Sequence, residues 1–245
     1  MPPPPSVAEV VAQMEGIVST LPRSDGVACF TRLYLAVTKG VEQRLAGVTF
    51  ADPGFLGRLD VAFADLFFAA FQAFSGDPAR APRAWAPLFD ARSSRGIAPL
   101  QFAFAGMNAH INRDLPVALV STCRELGIAL EEGSPQHADF ERINDLLATV
   151  EAEVKRQYLT GWLRTLDRLV HRIHRIDDVV AMWNISRARD AAWTNAEALW
   201  ALRDSADLSR DYLATLDRMV GLAGRGLLVP ADTALQRLAR RFGFA

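Results

Sequence analysis

Apolar residues recur at helical spacing along most of this chain, and this pattern constrains the fold more than any other feature of the sequence. In the clearest example they fall three or four positions apart, at Phe30, Leu33, Tyr34, Val37, Val41 and Leu45. Equivalent stripes occur within residues 56–74, 100–118, 143–158 and 163–176. This spacing places apolar side chains on one face of a helix, whereas a half-buried strand alternates apolar and polar residues. No segment alternates in that way, so the sequence predicts an all-α fold.

Capping residues indicate where two of these helices begin. Ser6 and Glu9 form a capping-box pattern, which predicts a first helix that continues to about Thr20. Ser134 followed by Pro135 is an N-cap residue with proline at the first helical position, where its missing N–H costs nothing. A second helix start is therefore predicted at residue 135.

Pro116 falls inside the apolar stripe of residues 100–118 and predicts an interruption of that helix. Its ring clashes with the carbonyl four residues earlier, that of Asn112, so the helix either kinks or starts again. The stripes together predict one globular, bundle-like all-α domain of roughly eight to ten helices. This domain spans residues 6–245 and follows a proline-rich leader at residues 1–5.

The charge and cysteine content exclude several classes of protein. The 27 Lys and Arg residues balance 28 Asp and Glu residues, so the chain lacks the basic excess that nucleic-acid binding requires. Cys29 and Cys123 are too few for a disulfide framework or a cysteine-based zinc site. The longest stretch without a charged residue, 96–112, is shorter than the ~20 apolar residues that span a bilayer. We expect a soluble cytoplasmic protein without a signal peptide and without nucleic-acid or membrane partners.

Two carboxylates and a histidine fall on or beside the apolar side of their predicted helices. Asp60 lies within the stripe of residues 56–74, between Leu56 and Phe63. Asp114 is in line with the stripe of residues 100–118 if that helix is continuous, and His110 lies four residues before it at the edge of the stripe. Most other acidic residues fall on polar faces, so these positions stand out.

A third carboxylate, Asp177, continues the stripe of residues 163–176 at a position where an aliphatic residue is expected. If that helix is unbroken, Asn184 and Asn195 extend the same face. Each inward carboxylate has a structural explanation, as a helix cap or as the partner of a nearby arginine, and Asp114 fits an N-cap before Leu115 and Pro116. Polar groups that converge in an apolar helical interior are, however, typical of a ligand pocket or an active site.

Two longer stretches carry a resemblance to a known family. The segment Pro99–Pro116 contains the run AGMNAHINRDLP and resembles a signature of an uncharacterised bacterial family that occurs mostly in actinomycetes, and Ala188–Trp200 is similar to a second stretch of that family. The resemblance covers most of the chain. It implies an all-helical cytoplasmic protein that stands alone, and it points to Asn108, His110, Asn112 and Asp114. Some members accompany natural-product pathways, which implies a biosynthetic role.

The leading functional hypothesis is an enzyme that transforms a small metabolite by acid–base chemistry without a cofactor. His110 is the general base or acid, and Asp114 orients it and stabilises its charged form. Asp60 and Asp177 bind a cationic group of the substrate or stabilise positive charge as it develops. This arrangement suits a cyclisation, an intramolecular substitution, an elimination or an isomerisation. The residues expected to contact substrate are Asn108, Asn112, Asn184, Trp193 and Asn195.

Two other hypotheses fit the same residues. His110, Asp114, Asp60 and Asp177 are hard oxygen and nitrogen ligands, which suit a divalent metal ion. Alternatively, the protein binds a ligand or a partner chain without catalysis, and the inward polar groups only position that ligand. A homo- or hetero-oligomer stays open as well, because an interface leaves no distinctive mark in one sequence.

Overall fold

The computed structural model describes residues 6–44, 48–147 and 184–230, and every regular element within these ranges is helical. In chain order the helices are α1 (Val7–Thr20), α2 (Gly26–Arg44), α3 (Pro53–Gly76), α4 (Ala86–Ala91), α5 (Pro99–Ala109), α6 (Leu115–Leu126), α7 (described over residues 135–147), α8 (Ile185–Ala201) and α9 (Ala206–Leu227). A 3-10 turn, Pro78–Arg80, follows α3. The prediction of an all-α fold is confirmed. The leader at residues 1–5 and Asp177 lie outside the described residues.

The predicted helix starts are present. Ser6 caps α1 through a full capping box, in which its Oγ accepts from the Glu9 N–H and Glu9 accepts from the Ser6 N–H. At the start of α7 the His137 N–H donates to Ser134 Oγ at 3.1 Å. These side chains accept from backbone N–H groups that have no partner within the first turn of a helix.

Helix α5 lies in the centre of the core, with all of residues 100–109 buried. It packs against α2 on one side and α9 on another, while α3 packs against α6 and α6 against α8. The close approach of α5 to α2 depends on Gly106, since a Cβ at this position would lie 2.7 Å from the Cβ of Phe30. The core therefore surrounds α5, which leads directly into the turn that carries His110 and Asp114.

The interruption predicted at Pro116 takes the form of one π-helical turn, His110–Asp114, between α5 and α6. The Leu115 N–H donates to the carbonyl of His110, one residue further back than in an α-helix. The wider turn lets the chain continue past Pro116, which has no N–H and whose ring would crowd an α-helical turn. Both His110 and Asp114 are fully buried on the inner side of this turn.

One expectation from the sequence is wrong. Asn184 has an extended backbone with φ −132° and ψ 114°, and it caps the new helix α8 by accepting from the Arg187 N–H at 2.9 Å. Asn184 therefore does not share a helical face with Asn195. The sequence pattern runs across this boundary because the capping role of Asn184 cannot be told from a helical position by spacing alone.

Two further observations concern membrane-spanning helices and the two cysteines. Across the described part of the chain, no helix combines the length and the apolar content needed to cross a membrane. Cys29 and Cys123 are both buried free thiols, and burial raises the pKa of each thiol to about 11. A neutral buried thiol is a weak nucleophile, so neither cysteine is a catalytic candidate.

Candidate functional site

A cavity of about 390 Å³ lies between α2, α3, the π turn, α7 and α8. Its wall is mostly hydrocarbon, and the aliphatic side chains around it include Val37, Val41, Leu56, Leu59, Met107, Ile111, Ile143, Leu147 and Ile185. The polar or charged side chains that the described residues contribute to the wall are Tyr34, Thr38, Glu42, Asp60, His110 and Arg189. An apolar cavity of this size with a few polar groups is the usual form of a small-molecule site.

His110 is held in one orientation. Its ring stacks on Phe63 with the centroids 3.6 Å apart and the planes within 5°, and the ring of Tyr34 lies edge-on at 4.6 Å. Its Nδ1 is 3.2 Å from Oδ2 of Asp114. Because a carboxylate accepts, Nδ1 carries the hydrogen and Nε2 keeps a lone pair. Burial lowers the pKa of His110, although the hydrogen bond and charge of Asp114 act in the opposite direction, so the imidazole is neutral at pH 7.

Asp114 is fixed by donors on every side. Its Oδ2 also accepts from Trp85 Nε1 at 2.9 Å, and its Oδ1 accepts from Arg113 at 2.8 Å. The side chain makes no hydrogen bond to the start of α6, so the N-cap interpretation of Asp114 is wrong. A buried carboxylate with these three partners serves to orient His110 and to stabilise the imidazolium ion that proton transfer would create.

Three buried polar atoms in the cavity wall have no hydrogen-bond partner among the described residues: His110 Nε2, Asp60 Oδ2 and Tyr34 OH. Buried polar groups are rarely left without a partner, because this costs the free energy of their lost hydration. Three such atoms border one cavity, which makes this cavity the candidate functional site of the described residues.

The ionisation of Asp60 and Tyr34 follows from their surroundings. Burial raises the pKa of Asp60 to about 6, since it outweighs the lowering by Arg189, and Glu42 adds a smaller increase. Burial also raises the pKa of Tyr34 well above 10, and the charges of Asp60 and Asp114 act in the same direction. Tyr34 therefore remains a neutral hydrogen-bond donor, while Asp60 exchanges a proton near neutral pH.

Arg189 and Tyr34 are residues of the site that the sequence did not single out, and Arg189 is the less expected of the two. It is only 7% exposed, its Nε donates to Asn144 Oδ1, and its guanidinium lies 4.1 Å from the centre of the Phe140 ring. Burial lowers its pKa to about 10, which leaves it charged at pH 7. A signal was present in the sequence, because Arg189 shares a helical face with Ile185, Ala192 and Ala196, where a buried arginine is unusual.

Asn108 and Asn112 lie near the site but outside the cavity wall. Asn108 donates to the carbonyl of Val220 at 3.0 Å, and its own side-chain oxygen accepts from Asn112 at 3.2 Å. Asn108 thus ties α5 to α9.

The remaining residues expected to contact substrate are also absent from the cavity wall. Trp193 packs against His137 and Phe140 and donates to Glu197 at 3.2 Å. Asn195 accepts from Tyr212 at 2.8 Å, and Asn184 is the exposed cap of α8. These contacts give each side chain a structural role, which the helical phase of the sequence alone does not reveal.

The metal hypothesis needs donors beyond the described ranges. Among residues 6–44, 48–147 and 184–230, no three His, Cys, Asp or Glu side chains come together closely enough to hold a metal ion. Both oxygens of Asp114 already accept hydrogen bonds. Of the four ligands that the sequence suggests, Asp177 lies outside the described residues.

Comparison with known proteins identifies the family. A family model matches residues 7–230, a range that contains the whole of the cavity wall from Val7 to Arg189. The chain belongs to the DUF5995 family, a family of unknown function. This match confirms the resemblance to an uncharacterised family. A search of curated proteins and a search of solved structures found no match to this chain.

The raised pKa of Asp60 predicts a pH-dependent gain in stability on neutralising it. A carboxyl whose pKa rises from 3.8 to about 6 on folding makes its full contribution to the stability of the folded state below pH 4. That contribution is lost as the pH rises through 6. Asp60→Asn should therefore be more stable than the wild type at pH 8, by at most about 3 kcal/mol. Urea unfolding at pH 8, 6 and 4.5 measures this, and the gain should shrink toward acid pH.

The matched control is Asp90→Asn, an exposed carboxylate on α4. It should change the free energy of unfolding by less than about 0.5 kcal/mol at every pH, as surface substitutions do. An Asp60→Asn protein that is no more stable than the wild type at pH 8, or whose gain is independent of pH, would contradict the enclosed and unpaired state of this carboxyl.

Proposed function

We propose that this protein is an enzyme that transforms a small molecule by acid–base chemistry in the cavity beside His110, without a cofactor. One observation carries the proposal: a buried, neutral histidine has Nδ1 directed at a buried aspartate, and its other nitrogen borders a cavity without any described partner. A side chain that serves only packing has no need of a buried, unpartnered nitrogen, since an aromatic residue packs equally well without that cost.

His110 is the general base in this proposal. Its Nε2 takes a proton from the substrate, and the imidazolium ion that results is stabilised by Asp114 at 3.2 Å. The Phe63 stack prevents the ring from turning away, so the lone pair stays directed at one point. The lowered pKa of His110 keeps the base free of a proton at pH 7.

Tyr34 and Asp60 supply the complementary groups. The neutral Tyr34 hydroxyl donates a hydrogen bond to an oxygen on which negative charge develops, such as the carbonyl oxygen of a compound that loses its α-proton. Asp60, with its pKa about 6, returns a proton at a second position. Removal of a proton at one atom and addition at another is an isomerisation, and loss of a leaving group in the second step is an elimination.

The surroundings of the site favour a small, largely apolar substrate. The hydrocarbon wall excludes water, which strengthens each polar interaction inside and protects a reactive intermediate. Cyclisation and intramolecular substitution use the same base and also fit this cavity. We place the reaction in biosynthetic metabolism in the cytoplasm, where the free thiols of Cys29 and Cys123 are stable.

Deuterium exchange tests the proposal without knowledge of the substrate. The purified protein is incubated in D₂O with a metabolite extract of the cells that produce it naturally, and the mixture is analysed by mass spectrometry. A general base exchanges the proton that it removes, so the wild type should introduce deuterium into at least one metabolite or convert it to a product. His110→Gln should leave the extract unchanged, because its amide does not take up a proton.

His137→Gln is the matched control, since His137 accepts from the Gly133 N–H and lies outside the cavity wall. It should exchange deuterium as the wild type does. Equal exchange by His110→Gln contradicts the assigned base. If the wild type neither introduces deuterium into any metabolite nor converts one, the result favours the alternative of a ligand-binding protein without catalysis. Elemental analysis of the same active sample tests the metal alternative. A protein that is active and contains no metal rules this alternative out.

A further inference from the structure

Arg189 is a buried cation that makes no contact-distance ion pair with a described residue, although the charges of Glu141, Asp60 and Asp190 act on it from further away. Within the described residues, no carboxylate lies within 4.0 Å of the guanidinium nitrogens; its only hydrogen-bond acceptor there is the neutral amide oxygen of Asn144. Burial of a charged arginine is costly when no anion contacts its guanidinium, and a ligand anion that makes this contact offsets the cost. Arg189 also belongs to the cavity wall, so an anion in the cavity can reach it.

The guanidinium is held in position before any ligand arrives. Phe140 lies against its face at 4.1 Å, and the bond from Nε to Asn144 fixes its rotation. Asn144 is itself restrained, because its Nδ2 donates to Glu141 and Asp190 at 3.1 Å each. No described residue accepts a hydrogen bond from the two Nη groups of Arg189, which form a planar pair of donors that matches the two oxygens of a carboxylate.

The rest of the wall determines what the anion is attached to. The cavity of about 390 Å³ is bordered mainly by aliphatic side chains from α2, α3, the π turn and its neighbours. Among the described residues, the carboxyl groups in the wall are those of Asp60, which takes up a proton readily, and Glu42, which is exposed. The sequence suggests that Asp60 binds a cationic substrate group, but the fixed positive charge of Arg189 favours an anionic group.

We propose that the cavity binds a monocarboxylate with a hydrocarbon body, whose carboxylate pairs with Arg189 while the hydrocarbon lies against the aliphatic wall. This inference rests on the proposed function, since it names the class of substrate for the same cavity. The body of the ligand extends past Asp60 and His110, which keep the roles proposed above. Substrates of this class include medium-chain and branched acids.

Three probes with one hydrocarbon chain and different head groups test the inference: decanoate, decan-1-ol and decylammonium. Their binding at pH 7 is measured by calorimetry below the concentrations at which they form micelles. Decanoate should bind about 10- to 100-fold more tightly than decan-1-ol, as expected for a hydrogen-bonded pair of opposite charges. Decylammonium should bind more weakly than the alcohol. Equal binding of acid and alcohol, a preference for the ammonium ion, or no binding of decanoate overturns the inference.

Variants locate the head-group site. Arg189→Met should lose the preference for decanoate while still binding decan-1-ol, and Arg189→Lys should keep part of the preference, because it retains the charge without the planar fork. Arg92→Met is the matched control: Arg92 also lies over a phenylalanine ring, that of Phe71, and lies outside the cavity wall. It should bind all three probes as the wild type does. If the Arg189 variants do not fold, the head-group comparison on the wild type still decides.

The outcome is separable from that of the proposed function, because binding is read without turnover. Deuterium exchange that depends on His110, together with no preference for decanoate, removes only the assignment of the substrate class. A preference for decanoate that depends on Arg189, with no exchange in any metabolite, leaves a carboxylate-binding protein without the proposed chemistry.

Discussion

Asp114→Asn should reduce turnover about 10³- to 10⁴-fold, as much as the loss of a histidine base itself. Asparagine has the size of aspartate, but its amide either donates to His110 Nδ1 or turns toward Arg113, which is also a donor. In the first orientation the hydrogen of His110 moves to Nε2, and the base is lost. In the second, the tautomer is kept, but the imidazolium ion that forms has no adjacent negative charge.

Two measurements check this prediction. The rate is followed by deuterium exchange into the metabolite that the wild type labels, with KM expected to change little because Asp114 does not line the cavity. The ¹⁵N spectrum of His110 reports the tautomer directly, and the wild type should show an unprotonated Nε2. Unchanged turnover per folded molecule would refute the role of Asp114 as the residue that positions His110.

Asp25→Asn provides the control for loss of a buried carboxylate. Asp25 is 7% exposed, accepts from the Val27 N–H at 2.8 Å and pairs with Arg92, and it lies outside the cavity wall. Its substitution should lower the free energy of unfolding and leave turnover unchanged. A similar loss of turnover in both variants would show that general destabilisation, and not the tautomer of His110, is responsible.

Gly106→Ala should destabilise the fold by about 3 kcal/mol or more. The added Cβ would overlap the Cβ, Cγ and Cδ2 atoms of Phe30 on α2. Phe30 cannot move aside, because it is fully buried and its ring packs edge-on against Phe67 at 4.9 Å and Trp85 at 5.2 Å. The overlap must then separate α5 from α2, which costs packing throughout the centre of the core. Chemical unfolding measures the loss.

Gly16→Ala is the matched substitution. Gly16 lies in the interior of α1, and an added Cβ there meets no atom within 4 Å. Alanine forms helices more readily than glycine, so this variant should be more stable by about 0.5–1 kcal/mol. If Gly106→Ala were as stable as Gly16→Ala, the close approach of α5 to α2 would not be needed for the fold.

The inward direction of three candidate side chains could be predicted from the sequence. The inward phase of His110 and Asp114 was visible because both lie on one turn of one element, where the positions of side chains follow from the local backbone. Asp60 was found in the same way on α3. Arg189 was missed although it has the helical phase of a buried residue, because arginine is usually exposed; the contact that buries it, with Asn144 of α7, is distant in sequence.

Asn108 shows a second limit of prediction from the sequence. Asn108 has the phase of a buried residue and is buried, yet its amide is used up by the carbonyl of Val220 on α9. Helical phase predicts whether a side chain points inward, but it does not predict which group lies opposite. A site residue and a structural hydrogen bond between helices therefore look identical in the sequence.

The sequence by itself determined that the described chain is helical, where α1 and α7 begin, and that the helix of residues 100–118 is interrupted near Pro116. These features depend on residues within a few positions of each other, since helix formation, capping and the proline clash are local interactions. Only the tertiary structure decided that Tyr34 of α2, Asp60 of α3, His110 of the π turn and Arg189 of α8 share one cavity. Their convergence depends on how the helices pack, which is set by close contacts such as that of Gly106 with Phe30 between residues far apart in the chain.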